Sequence, residues 1–347
     1  MIPPRKGGVV AITAGDPCGI GPEVVVKALS TFRARPRFPI VLIGDAPVIA
    51  RAEATVRRRV PAWVQLIDCG HRRALRPGRT SAAAGAASLA YLQQALSRWR
   101  TGQVRALVTA PVTKWAVARV QTGFVGHTEY LANAMRVRRV AMMFVSDRLR
   151  VVVMTRHIPL REVSRAVTRA ALRQTLQLTD TSLRNLFGIS RPRLAVCGLN
   201  PHAGEGDPRS EEHRVIKPVL HALKQLKRRI RCEGPFAADG FFAQADRIRS
   251  YDAILCAYHD QGLIPFKTAA RDQGCQLTLG LPIVRTSPDH GSALDIAGQG
   301  IADPGSMIYA IRLALQLASR TDSRVPWRHP ARPRRGAAYR APSAPGA

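Results

Sequence analysis

Four of the nine histidines, His157, His202, His259 and His290, stand at or just past apolar runs, in turns made of Pro, Gly, Asp and Asn. A single histidine in such a place is more often a hydrogen-bonded structural residue than a ligand. Several of them in turns of one character point further, because α/β folds assemble their sites in loops beyond strand ends. His157, His202 and His259 are 45 and 57 residues apart, which leaves no local metal-binding motif. Brought together by the fold, three neutral imidazoles could hold a metal and leave a coordination position open. His259 also opens the richest stretch of the chain: after it come Lys267, Arg285 and a Pro288–Gly291 turn, set between apolar runs. That combination reads as the rim of a site for an anionic substrate, with Arg285 supplying a fork for paired oxygens. His71, His213, His221 and His329 lie in charged surroundings and read as surface residues.

Strands must end where these residues stand. Apolar runs at 9–13, 40–44, 64–67, 107–110, 193–199 and 253–257 predict buried strands, and helical spacing predicts helices over 81–98, 161–187, 211–229 and 306–318. Two β-rich runs, 140–145 and 149–155, flank Ser146 and Asp147 as a hairpin-like pair. Thr128 is placed to cap a helix beginning at Gly126–Tyr130. The turn Gly15–Glu23 joins the first strand to a helix but is not GxGxxG, so a tight connection explains it at least as well as an anion cradle. Alternating elements with near-continuous apolar strands predict an α/β protein of two lobes, with mostly parallel, partly mixed sheet and helices on both faces.

Composition removes several function classes. A chain of 347 residues can bury a large core, and no apolar run is long enough to span a bilayer. The start of the chain lacks the long apolar region of a signal peptide, and six scattered cysteines without a C-x-x-C pair fit reduced, buried thiols, so a cytoplasmic location is expected. Net charge is +30, yet of 53 basic residues seven are Lys and 46 Arg, spread along the chain without alternating aromatics. Specific nucleic-acid binding is therefore not expected, whereas weak polyanion binding at low salt is. From Arg320 on, seven Arg and five Pro in 28 residues predict a disordered tail.

The segments GDPCGIGPE, LVTAPVTK, GHTEYLA, TRHIPL, GLNPHAGEG, YHDQGLIPFK and LGLPIVRTSPDHGSALDIAG, in this order from about Val9 to Ala318, resemble the 4-hydroxythreonine-4-phosphate dehydrogenase family of pyridoxal phosphate biosynthesis. HGSALDIAGQGIADPGS also resembles the cofactor loop of isopropylmalate and isocitrate dehydrogenases, whose two-lobed fold that family shares. The resemblance implies a nucleotide-binding lobe of residues 1–128 plus 277–320 and a substrate, metal and dimerisation lobe of residues 129–276, with 321–347 as the tail. It makes His157, His202 and His259 ligands of a divalent metal (Zn, Mg or Co), one of them supplied across a homodimer interface. His127, Thr128, Lys267, Gln276 and Arg285 become substrate-binding positions, with Lys267 and the three histidines as the catalytic set. Gly280, Pro282, His290, Gly291, Ala293 and Asp295 would line the NAD or NADP site. Asp260 and Asp289 are candidates for orienting groups, turn capping being the alternative. The implied reaction is oxidation of 4-phosphooxy-L-threonine to 2-amino-3-oxo-4-(phosphooxy)butanoate, which loses CO2 to give 3-amino-2-oxopropyl phosphate.

Two departures bear on substrate identity rather than reaction type. Gly274-Cys275-Gln276 stands where the family has Gly-Val-Asn, so an amide that contacts substrate in the family sits one methylene further out. GEGDPRSEEH replaces a more glycine-rich stretch after His202. The alternative within the class is a paralogue acting on D-threonate or D-erythronate 4-phosphate. From another class, the charge suggests a nucleic-acid-associated protein on an enzyme scaffold, against which the retained histidines, Lys267 and Arg285 argue.

Overall fold

Eleven strands form one sheet: β1 (Val9–Thr13), β2 (Ile40–Gly44), β3 (Gln65–Asp68), β4 (Val104–Thr109), β5 (Ala141–Ser146), β6 (Arg150–Val153), β7 (Arg193–Cys197), β8 (Arg231–Phe236), β9 (Ala253–Cys256), β10 (Gly274–Leu279) and β11 (Val284–Ser287). The computed structural model describes residues 8–71, 75–225 and 230–320; the expected tail 321–347 and the end of the helix expected to reach 229 lie outside them. Strand order is β3-β2-β1-β4-β11-β10-β5-β6-β9-β7-β8. Neighbours pair in parallel except β11–β10, β10–β5 and β5–β6. The α/β expectation with a mixed, mostly parallel sheet therefore holds, and the expected hairpin is β5–β6. Sheet pairing is continuous from β3 to β8.

Two elements differ from the sequence reading. The helix expected over 161–187 is broken: a 3-10 turn (Leu160–Glu162) and a short helix (Val163–Ala166) precede a new helix, Arg169–Phe187. Thr168 starts it by accepting a hydrogen bond from the Ala171 N–H, and Gly188 ends it at φ 73°. β8 went unassigned because it contains Gly234 and Pro235. It lies at the sheet edge, where a residue without an N–H is tolerated.

Side chains alternate across the sheet, so register tells which residues share a face. Gln276 opposes Ser287 on β11 and Phe144 on β5, while Arg285 lies alongside Leu107 of β4. Gln276, Thr278, Arg285, Ser287 and Thr109 thus line one face at mid-sheet. On that face beyond β5, apolar residues Phe144, Val151, Val153, Ile254 and Cys256 pack under Leu263 and Phe266 of the helix His259–Ala270. On the other side of the polar stripe, the helix Ala82–Arg100 packs on β1, β2 and β4. Helix Gly305–Arg320 covers the opposite face, where Thr286 donates to the Ala310 carbonyl. The polar stripe therefore floors the gap between two apolar packings, and all five of its residues are buried.

Gly85 lets the Ala82–Arg100 helix approach the helix Lys114–Ala118, which carries the turn after β4: an added Cβ would stand 2.1 Å from the Ala116 carbonyl oxygen. Alanine favours a helix by about 1 kcal/mol over glycine, but the clash with backbone outweighs this. Gly85→Ala is expected to lower stability by roughly 1–3 kcal/mol in urea titrations; a gain in stability would mean that the two helices are not locked together.

Candidate active site

Arg285 sits at the centre of the cleft floor and is only 3% exposed. Its Nη1 donates to Gln276 Oε1 at 2.5 Å and Thr278 Oγ1 at 3.1 Å, and its Nη2 to Thr109 Oγ1 at 2.6 Å. Every one of these acceptors is neutral. Nε is buried with no partner, and no carboxylate ion-pairs with the guanidinium among the described residues. Burial lowers the Arg285 pKa to about 10, opposed through space by Glu129. A buried donor without a partner costs about 1–3 kcal/mol, and a buried unpaired charge more. Such a group is retained where an anion completes it.

Three histidines stand on elements near this floor, and the pKa values of two of them are lowered. His127 starts the helix His127–Ala134, and burial first, then the charges of Arg285 and Lys114, push its pKa down to about 3. The helix leaves Gly126 without a side-chain cap, so Thr128, expected as the cap, is instead a buried residue of the first turn. His157 and His259 face each other with ring centroids 6.3 Å apart and planes tilted by 40°. Desolvation lowers the His157 pKa, Lys114 lowers it further, and Glu129 opposes them. His259 Nδ1 lies 2.6 Å from Asp260 Oδ1, which fixes the ring and leaves Nε2 as its free nitrogen. Asp260 thus has the geometry of an orienting group. Asp289 does not: its carboxylate accepts from Ser306 at the start of the Gly305–Arg320 helix, the capping alternative.

His202 stands apart. It is highly exposed, with Glu205 at 3.8 Å, on a run of left-handed residues (His202 φ 50°, Ala203 φ 54°, Glu205 φ 43°). Buried Glu212 pins the start of this loop by accepting from the Leu199 and Asn200 N–H groups at 2.6 and 2.8 Å. Among the described residues of one chain, no three His, Cys, Asp or Glu side chains come together as a metal cluster. The donor set His157 and His259, one imidazole held neutral and the other oriented by a carboxylate, nevertheless suits a divalent cation as a partial ligand pair. Lys267 is exposed in the last turn of the His259–Ala270 helix, with no hydrogen bond or ion pair to the site.

The predicted cofactor residues divide into two groups. His290, Gly291, Ala293 and Asp295 follow β11, in a loop held down on the Gly15–Glu23 turn and the turn after β4. The Ser292 carbonyl accepts from Ile20 N–H at 2.9 Å, Ser292 Oγ from Thr113 Oγ1 at 2.9 Å, and the buried Glu23 carboxylate from Gly298 and Gly300 N–H at 2.5 and 2.9 Å. Gly19 allows the approach, since a Cβ there would meet the Ser292 oxygen at 2.8 Å. The glycine-rich turn supports the loop, and Asp16 closes it by accepting from Cys18 N–H and Thr80 Oγ1. Gly280 and Pro282 precede β11, at its other end, and line a cavity of about 490 Å³ with Val104 and Ser182. The structure does not bring them to the loop. It does add residues the sequence reading passed over: Lys114, Glu129, Thr109, Thr278 and Ser287. The lysine closing PVTK was the one visible signal, because it follows a strand-end turn like those of the histidines.

A mixed α/β fold that presents an uncompensated cation near histidines suits the class of α/β enzymes that act on small anionic substrates. Comparison with known proteins names the family. The family described as pyridoxal phosphate biosynthetic protein PdxA matches residues 33–314. A 4-hydroxythreonine-4-phosphate dehydrogenase of Chromobacterium violaceum is 42% identical over 332 residues, covering 92% of this chain and 99% of that protein. The crystal structure of a 4-hydroxythreonine-4-phosphate dehydrogenase from Klebsiella pneumoniae is 34% identical, with a TM-score of 0.79 over 90% of this chain and 99% of that one. A terephthalate 1,2-cis-dihydrodiol dehydrogenase from Burkholderia xenovorans is 32% identical at a TM-score of 0.60, covering 90% and 98%. The chain belongs to the PdxA family of pyridoxal phosphate biosynthesis. A dehydrogenase family brings a nicotinamide cofactor with it.

Between the ordinary histidine value of 6.5 and about 3, the unfolded chain binds a proton at His127 that the folded chain refuses. Stability therefore declines as pH falls through this window, by at most about 1.4 kcal/mol per pH unit from this group. His127→Gln removes that contribution. Urea titrations at pH 7.5 and 5.0 are expected to show a smaller acid loss in the variant than in the parent; equal losses would mean that His127 is not held neutral.

Proposed function

We propose that this protein oxidises 4-phosphooxy-L-threonine with NAD or NADP as hydride acceptor, giving 2-amino-3-oxo-4-(phosphooxy)butanoate, which loses CO2 to form 3-amino-2-oxopropyl phosphate. The observation that carries the reading is Arg285, a buried cation whose partners are all neutral. The substrate carries two anionic groups, and one of them would complete Arg285. Lys267, on a flexible stem in the last turn of its helix, would meet the other. His127, held neutral, offers a hydrogen bond without adding charge, and the Thr128 hydroxyl lies beside it in the first turn. The loop carrying His290, Gly291, Ala293 and Asp295 would hold the nicotinamide nucleotide, with Gly280 and Pro282 acting only at a distance. The lobe of residues 1–128 and 277–320 would then be the nucleotide lobe, and residues 129–276 the substrate and dimerisation lobe.

His157 and His259 would hold a divalent cation, Zn, Mg or Co, with His202 of a second copy as third ligand. Supporting this, His202 is exposed and lies apart from the pair, while large apolar side chains, Ile158 (40%), Leu160 (70%) and Ile264 (66%), are exposed next to His157 and on the helix of His259. Exposed apolar groups gathered around a site favour a protein partner. When bound, the cation supplies Lewis acidity that eases loss of the hydroxyl proton and then of CO2. Orientation and charge placement remain the work of the protein: decarboxylation next to a ketone is intrinsically easy. Six unpaired cysteines, five of them buried, fit a reducing compartment, and we place the enzyme in the cytoplasm. Among the described residues no helix is long and apolar enough to cross a membrane.

The test is formation of reduced nicotinamide from 4-phosphooxy-L-threonine, with and without a chelator, in the parent and in His259→Ala. Turnover is expected in the parent, lost with chelator, restored by one of the three metals, and reduced on the order of 100-fold or more in the variant. Undiminished turnover in His259→Ala overturns the assignment of the metal pair. Preferred turnover of D-threonate or D-erythronate 4-phosphate overturns the substrate.

A further inference from the structure

We infer that Gln276 is a positioning residue for Arg285, whose neutral amide fixes the guanidinium while leaving its charge available to the anionic substrate. The inference rests on the reading that Arg285 binds that substrate and adds what Gln276 does in this chain. Gln276 is 5% exposed on β10, opposite Ser287 of β11. Its Oε1 accepts from Arg285 Nη1 at 2.5 Å and from Ser287 Oγ at 2.9 Å, and its Nε2 donates to Thr278 Oγ1 at 2.9 Å. An amide has two acceptor and two donor positions, so both acceptors and one donor are spent inside the protein. The side chain that the motif would offer to substrate is instead turned onto the arginine.

The extra methylene of glutamine over asparagine makes this possible. From β10 the longer side chain reaches across to β11, bonding Arg285 and Ser287 with one oxygen. Thr278 accepts from both Gln276 and Arg285, and Thr109 holds the other terminal nitrogen from β4. Three of the five guanidinium N–H groups are thereby fixed. Two are left over, one on Nε, which is buried without a partner, and one on Nη2, and an anionic group is the partner that a guanidinium takes best. A glutamate at this position would hold the guanidinium as well, but would cancel its charge. An asparagine would be too short to bridge to β11 in the same way.

The test is a double-mutant cycle on the full-length protein with Gln276→Met, Arg285→Met and the double variant, plus Gln276→Glu and Gln276→Asn as probes of charge and reach. The readouts are calorimetric affinity for 4-phosphooxy-L-threonine, KM and kcat, and the thermal midpoint. In the parent background Gln276→Met is expected to weaken binding by about 10-fold, and in the Arg285→Met background by less than about 2-fold. Gln276→Glu is expected to keep or raise the thermal midpoint while weakening binding by about 10-fold or more, with kcat changed less than KM. Gln276→Asn is expected to fall between the parent and Gln276→Met. A Gln276→Met effect that persists undiminished without Arg285 overturns the inference in favour of direct contact, and a Gln276→Glu variant that binds as tightly as the parent overturns the charge argument. If Arg285→Met itself binds normally, the underlying assignment of Arg285 to substrate fails instead.

Discussion

A guanidinium buried in a sheet without a counter-ion is the constraint around which the centre of this molecule is arranged. Water cannot solvate Arg285, and the protein supplies only dipoles: two hydroxyls and an amide oxygen. The cost is tolerable because those dipoles come from β10 and β4, the two strands that flank β11 in a fixed register. Burial first, and the same positive field after it, set the state of the surroundings. His127 lies in reach of both Arg285 and Lys114 and is kept neutral, and His157 is shifted in the same direction by Lys114. Glu129, the acid that acts on the site, is tied to Arg156 at 3.3 Å, so it softens the field without closing an ion pair on Arg285. A site built this way discriminates by charge before it discriminates by shape.

The scaffold serves that field by holding loops rather than by lending them stability of their own. Glu23, in the first turn of the helix Gly21–Ser30, grips the loop after β11 through two backbone N–H groups. Gln261 ties the start of the His259 helix to the end of β7, accepting from Ala257 N–H and donating to the Gly198 carbonyl, each at 2.7 Å. Glu212 then takes the next two N–H groups of the His202 loop. These carboxylates and the amide are buried or half-buried and bonded to backbone, so each fixes a loop at little electrostatic expense to the cleft. His202 is exposed on the loop whose start Glu212 pins, away from its own chain's pair.

Much of this was legible in the sequence, for physical reasons that also explain what was not. Near-continuous apolar runs revealed most of the parallel strands because both faces of the sheet are covered. β8 escaped because an edge strand can carry Gly234 and Pro235, and the helix break at Thr168 escaped because apolar spacing continues on either side of it. Residue type and turn context found His157 and His259, whose rings the fold sets 6.3 Å apart, and Arg285, which like His157 lies within the field of Glu129. They could not find Thr109, Thr278 or Ser287, which look like ordinary strand residues until register aligns them beneath the guanidinium. The family resemblance groups Gly280 and Pro282 with His290, whereas the length of β11 separates them. Gln276 was expected to face substrate, and only the geometry of its amide turns it toward Arg285.

The central claim, that an uncompensated Arg285 awaits the substrate's anion, is tested most directly by a crystal structure of the protein with 4-phosphooxy-L-threonine bound. The account predicts an oxygen of one anionic group of the substrate within hydrogen-bond distance of the Arg285 guanidinium, with Gln276, Thr278 and Thr109 keeping their bonds to it. A substrate whose phosphate and carboxylate both bind elsewhere, leaving Arg285 with its protein partners alone, would contradict it.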